Sequence, residues 1–160
     1  MSLRYFYLSP GDLLNKLERE ARRVAHAAAS SDKPAMCDHF FNFCITAHSL
    51  RDWIINLQMV ERQSVHDRCN QVSELAACRD IANASKHFDL KVDRKPIAKG
   101  AVVSQSSVVD VFQDSSGNYR MSEPRETIDI SLVMEGHTPS RITSVHKRCH
   151  RGLEDYFRGV

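Results

Sequence analysis

Glycine, proline and long apolar runs are all scarce in this 160-residue chain, which holds six glycines and five prolines. None of the glycines falls in a G-x-x-x-x-G-K or G-x-G-x-x-G arrangement, which disfavours nucleotide hydrolases and dinucleotide-binding proteins. The apolar runs are too short to span a bilayer, so no membrane association is expected. The first dozen residues lack an apolar stretch followed by a small-residue cleavage site, which makes a cytoplasmic setting the default. Five cysteines, an odd number without zinc-type spacing, read as reduced thiols used as small apolar residues. A formal net charge of only +2 means that any nucleic-acid contact has to come from a local basic patch. What is present is ordinary globular usage: 42% hydrophobic and 26% charged residues, in a chain long enough for one domain with its own core.

The hydrophobic pattern is helical over the first half. Ser9-Pro10-Gly11-Asp12 supplies an N-cap, a first-position proline and a first-turn acid, and Leu14, Leu17, Ala21, Val24 and Ala28 follow at helical spacing. These predict a helix over about 10–29. Asp32 and Pro34 open a second, over about 33–59, with Met36, Phe40, Phe43, Ala47, Leu50, Ile54 and Leu57 on one stripe. A second stripe of Cys37, Phe41, Cys44 and Ile55 suggests a central helix packed on two sides. A third helix, over about 63–88, carries Val65, Cys69, Val72 and Ala76.

Residues 89–100 read as a connection, after which the period changes. Val102 to Phe112 is rich in β-branched residues, 114–118 has turn chemistry, and Ile128, Ile130, Leu132 and Met134 alternate at period two. A β-hairpin or small meander over about 101–134 is expected, with Pro124 at a break or an edge. Thr138-Pro139 should then start a last helix, over about 139–157, with Ile142, Val145, Cys149 and Tyr156 inward. The fold class is α+β, mainly helical: a four-helix bundle with a β-insert before the last helix.

One stretch breaks the pattern. Arg79, Asp80, Asn83, Lys86 and His87 crowd an arc of about 120° on the third helix, on the face that began as core. Unpaired burial of such groups is costly, so they must pair, reach water or line a cleft. His48, Arg51 and Asp52 interrupt the second helix in the same way, and an antiparallel hairpin of the two helices brings His48 or Arg51 toward Arg79 or Asp80. Two readings follow from these residues: a structural ion-pair network that fixes helix register, or a polar cleft for an anionic ligand such as RNA.

A helical bundle with Arg79, the adjacent Asp80 and a downstream His87 resembles the HEPN superfamily (higher eukaryotes and prokaryotes nucleotide-binding). That family's signature is Arg, four to six residues, then His; here seven residues intervene. The resemblance implies an RNA-directed domain, with members acting as metal-independent endoribonucleases in defence or mobile-element settings and pairing to form the active cleft. It assigns Arg79 to the scissile phosphate, Asp80 to the polar neighbour position and His87 to general acid or base work on a 2′-hydroxyl. Asn83, Lys86, His48 and Arg51 become ligand-binding candidates, with no metal and no cofactor. The alternative is a non-enzymatic protein-binding or assembly module, whose polar residues are structural and whose β-insert offers an edge to a partner.

The last helix adds Arg141, Lys147, Arg148 and Arg151, with His146 and His150 at metal-ligand spacing but no obvious third ligand. It reads first as a solvated basic face and second as a phosphate-contacting strip. Cys44 lies one turn from His48, the minimum for thiolate chemistry, but on a packed stripe. Tyr5, Phe6 and Tyr7 make an aromatic N-terminal segment expected to pack on the bundle or on a second subunit, so a homodimer is the expected assembly.

Overall fold

The computed structural model describes residues 6–87 and 96–154, apart from the side chains of His87, Thr143, His146, His150 and Glu154. The chain is α+β and mainly helical. Four N-terminal helices come first: α1 (Pro10–Ala29), α2 (Lys33–Asn56), α3 (Arg62–Gln71) and α4 (Ser73–His87). Strands β1 (Ala98–Val108), β2 (Val111–Gln113), β3 (Tyr119–Met121), β4 (Arg125–Met134) and β5 (Ser140–Arg141) follow, and α5 (Ile142–Glu154) closes the described chain.

Local chemistry explains the first two helices. The Ser9 hydroxyl accepts from the Asp12 amide at 3.2 Å while the Asp12 carboxylate accepts from the Ser9 amide at 2.9 Å, a reciprocal capping box. Ser31, at φ 56°, turns the chain out of α1 in the left-handed region. Asp32 then caps α2 by accepting from the Ala35 amide at 3.0 Å. Leu17, Leu50, Ile54 and Val65 are fully buried, and α1 and α4 each pack on α2, with α5 against all three.

Several boundaries differ from the sequence expectation. The expected third helix is two: Val72 is extended, at φ -91° and ψ 101°, so α3 ends at Gln71 and α4 starts afresh at Ser73. Described helices therefore number five rather than four. α2 stops at Asn56, leaving Leu57 exposed, and Cys37 and Phe41 of its second stripe are also exposed, so only Cys44 and part of Ile55 serve a second interface. Thr138 and Pro139 precede the short strand β5 rather than capping α5, which begins at Ile142. Ile142, Val145 and Cys149 are buried as expected, while Tyr156 lies outside the described residues.

The β-insert is a long antiparallel hairpin in two stages. β1 and β4 pair from Ala98 opposite Met134 to Val108 opposite Arg125, with an irregularity between Ala98 and Gly100. β2 and β3 continue as a separate two-stranded tip around the 114–118 turn, where Gly117 takes φ 84°. Pro124 lies between β3 and β4, where the ladder is interrupted. The larger sheet runs in the order β1-β4-β5, so β1 is an edge strand. Ile130, Leu132 and Met134 enter the core, whereas the distal part of the hairpin is exposed on both faces.

Because Leu17 is fully buried between helices, Leu17→Ala should remove about 3 kcal/mol of folding stability, read from a urea unfolding midpoint.

Candidate functional site

The polar residues singled out in the sequence divide into a closed joint and a partly open seam. The joint centres on Asp80, a buried residue of α4. Its Oδ2 accepts the backbone N–H of Ile97 at 2.6 Å and that of Ala98 at 3.4 Å. Its Oδ1 accepts from Arg79 Nε at 3.1 Å and Nη2 at 3.0 Å. Arg79 Nη1 donates in turn to Asn70 Oδ1 on α3 at 2.8 Å. Both carboxylate oxygens are therefore committed to holding α3, α4 and the start of β1 together.

The seam lies between α2, α3 and α4. Arg51 of α2 pairs through Nη1 with Asp52 at 3.0 Å, and its Nη2 approaches His66 Nδ1 of α3 at 2.5 Å. The other ring nitrogen of His66 meets Arg62 Nε at 3.3 Å. A neutral imidazole has one acceptor nitrogen and one N–H, so His66 cannot accept from both guanidinium groups. Arg51 Nε and His48 Nδ1 are buried without a hydrogen-bond partner among the described residues.

His48 is held below the ordinary histidine range, chiefly by burial. The Asp52 carboxylate works against that shift, and the positive charges of Arg51, Lys86 and Arg79 reinforce it. The expected contact of His48 or Arg51 with Arg79 or Asp80 is absent as a hydrogen bond among the described residues, and these cations act on the half-buried His48 through their charge. Burial pushes the Cys69 thiol of α3 up, opposed by the positive charges of Arg51 and Arg79 and by a hydrogen bond from Arg51. Asn83 is half-buried and Lys86 exposed further along α4. His87 ends α4, and its side chain lies outside the described residues.

Arg62, His66 and Asn70 were not singled out in the sequence. A continuous helix over 63–88 would have kept α3 in phase with α4; the break at Val72 turns α3 so that these residues join the seam. Arg62 and His66 at i,i+4 spacing were the available signal.

Other candidates are absorbed by structure. Arg148 pairs with buried Glu74 at 2.5 Å and Arg141 with Asp129 at 2.8 Å, so two cations of the basic last helix region are tied down. Cys44 is fully buried beside Cys78, and burial pushes its thiol well up, which suits an inert core thiol. His146 and His150 lie outside the described side chains, and among those described no group of three His, Cys, Asp or Glu is placed to hold a metal. Phe6 is exposed and Tyr7 packs partly on the core, while Tyr5 lies outside the described residues. Among the described residues no helix is long and apolar enough to cross a membrane.

Compared with known proteins, the chain matches no family model, no curated protein and no solved structure.

Two expectations follow from the joint and the seam. Asp80→Ala strands two backbone amides and a guanidinium, and should lower stability by about 3 kcal/mol, a melting temperature drop of about 10 °C. Hydrogen exchange should also speed at the Ile97 and Ala98 amides ahead of the rest of β4 and β1. His48 supplies the second. Its folded value lies below its unfolded one, so the unfolded state binds more protons between them and stability falls as pH drops through about 6.5. His48→Gln should flatten that part of a stability-against-pH curve.

Proposed function

We propose that the α2–α3–α4 seam binds phosphate groups of single-stranded RNA. The observation that carries this reading is the surplus of cationic donors: Arg51 Nε is buried without a partner, and His66 is pressed between two guanidinium groups that it cannot both satisfy. A phosphate at the rim accepts from Arg51, Arg62 and the His66 N–H together, which removes the conflict within the seam. Lys86, exposed at the end of α4, extends the same positive field outward. The resemblance of Arg79, Asp80 and His87 to the HEPN signature supports RNA as the source of the phosphate. In this reading Arg51, Arg62 and Lys86 contact the phosphate, His48 and Asn83 line the site, and Asp80 positions Arg79 and β1 rather than moving protons. His87 is the remaining candidate for general acid or base work on a 2′-hydroxyl.

A second reading, a protein-assembly module, is favoured by the bare edge of β1, which no described residue pairs.

The test is titration of a fluorescent single-stranded oligoribonucleotide at several salt concentrations without added metal. Binding should weaken with salt, and Lys86→Gln should reduce the log–log slope by about 0.7 while leaving the melting temperature unchanged. Arg51→Gln should weaken binding further. Salt-independent binding, or wild-type affinity in both variants, overturns the proposal. If the wild type cleaves the oligomer, His87→Ala should abolish cleavage while retaining binding.

A further inference from the structure

We infer that two copies of this chain pair through β1, antiparallel and edge to edge, about a two-fold axis at Gln105. The inference is independent of RNA binding and starts from an asymmetry between the two edges of the hairpin. The outer edge of β4 is covered: β5 pairs with Ser131 and Leu132, Arg141 of β5 pairs with Asp129, and Ser31 Oγ donates to the Glu126 carbonyl at 2.7 Å. β1 has none of these devices. From Gly100 to Val109 ten consecutive residues carry no charge and no proline, all are exposed, and among the described residues nothing pairs with their outer edge. Asp80 satisfies the amides of Ile97 and Ala98, and the open edge begins directly after them.

The distal hairpin is also too thin to stand comfortably alone. It has two strands with both faces in water, and it exposes Val102, Val111, Phe112, Tyr119 and Met121. Two-stranded ribbons are marginal in water, and a third strand is what stabilises them. Pairing with a second copy makes a continuous four-stranded ribbon in which each hairpin supplies that strand to the other.

Charge and register select the second copy and its direction. Lys99 is paired with Glu135 at 3.1 Å and Asp110 with Arg125 at 2.8 Å; a parallel pairing would stack each of these ion pairs on its own copy, whereas an antiparallel one keeps like pairs at opposite ends of the ribbon. A two-fold axis normal to the sheet requires paired residue numbers to sum to an even value, because facing residues share one side of the sheet. Centring on Gln105 sets Val102 opposite Val108, Val103 opposite Ser107 and Ser104 opposite Ser106, with no like charges facing.

Sedimentation equilibrium on the full chain tests this. The wild type should have twice the 18.2 kDa chain mass at micromolar concentration. Ser104→Lys with Ser106→Lys sets like charges opposite each other twice and should raise the dissociation constant about tenfold or more. Ser104→Lys with Ser106→Glu sets opposite charges across the same pairs and should restore the dimer. Ser104 and Ser106 are both exposed, so a far-ultraviolet spectrum and melt matching the wild type verify folding in each variant. A monomeric wild type, a dimer indifferent to the paired lysines, or failure of the lysine–glutamate variant to recover overturns the proposal.

Discussion

The carboxylate of Asp80 ties α3 and α4 to the origin of the sheet. It is buried on α4, yet it is the acceptor for the first two amides of the β-region and for the guanidinium of its own neighbour. A buried carboxylate is tolerable only when its oxygens are hydrogen-bonded and its charge is opposed, and both conditions are met here by groups from separate elements. Glu74 of α4 works the same way in holding Arg148 of α5, whereas Glu20 of α1 accepts from Arg23 at 2.8 Å through one oxygen and has no hydrogen-bond partner at the other among the described residues. The helical part is thus assembled by apolar stripes, while the relative placement of elements that share few apolar contacts is set by single acids.

Much of the architecture was legible because local chemistry and tertiary packing agree there. The capping box at Ser9 and Asp12, the stripe from Met36 to Ile54 and the alternation from Ile128 to Met134 each give one answer at every level. The failures are places where a local pattern continued past the point at which packing changed it. Val65, Cys69, Val72 and Ala76 kept helical spacing straight through a residue that is extended, because spacing records which side chains face inward and not whether the backbone between them is continuous. Leu57 kept the stripe of α2 going one position past its end. Thr138-Pro139 had helix-start chemistry but serves a two-residue strand paired to Ser131 and Leu132. Strand pairing is a long-range fact that no short window contains.

The polar arc was legible as an exception, but its division into two parts was not. At about 100° per residue, Arg79 and Asp80 diverge on α4, one toward α3 and the other toward the sheet. From sequence they look like one constellation, and the spacing of Arg79 to His87 encourages reading them together. In three dimensions Asp80 belongs to the joint, Arg51 and His48 belong to the seam, and Arg79 touches both. A net charge of +2 conceals the local cations because acids elsewhere offset them: residues 98–134 hold five acids against three bases.

That double position of Arg79 decides which cations are free to hold an incoming anion. A phosphate that recruited Arg79 would have to draw it from Asp80, leaving a buried carboxylate partly uncompensated and weakening the hold on Ile97 and Ala98. The cost would fall on the origin of β1, and so on the edge from which a second copy would pair. Arg51 and Lys86 carry no such obligation: the first has a buried donor unspent and the second is exposed. Binding through them leaves the joint intact, with Arg79 contributing its field rather than a contact. The adjacency of Arg79 and Asp80 therefore keeps anion binding and strand placement on neighbouring faces of one helix, with the weaker demand on each met by different donors.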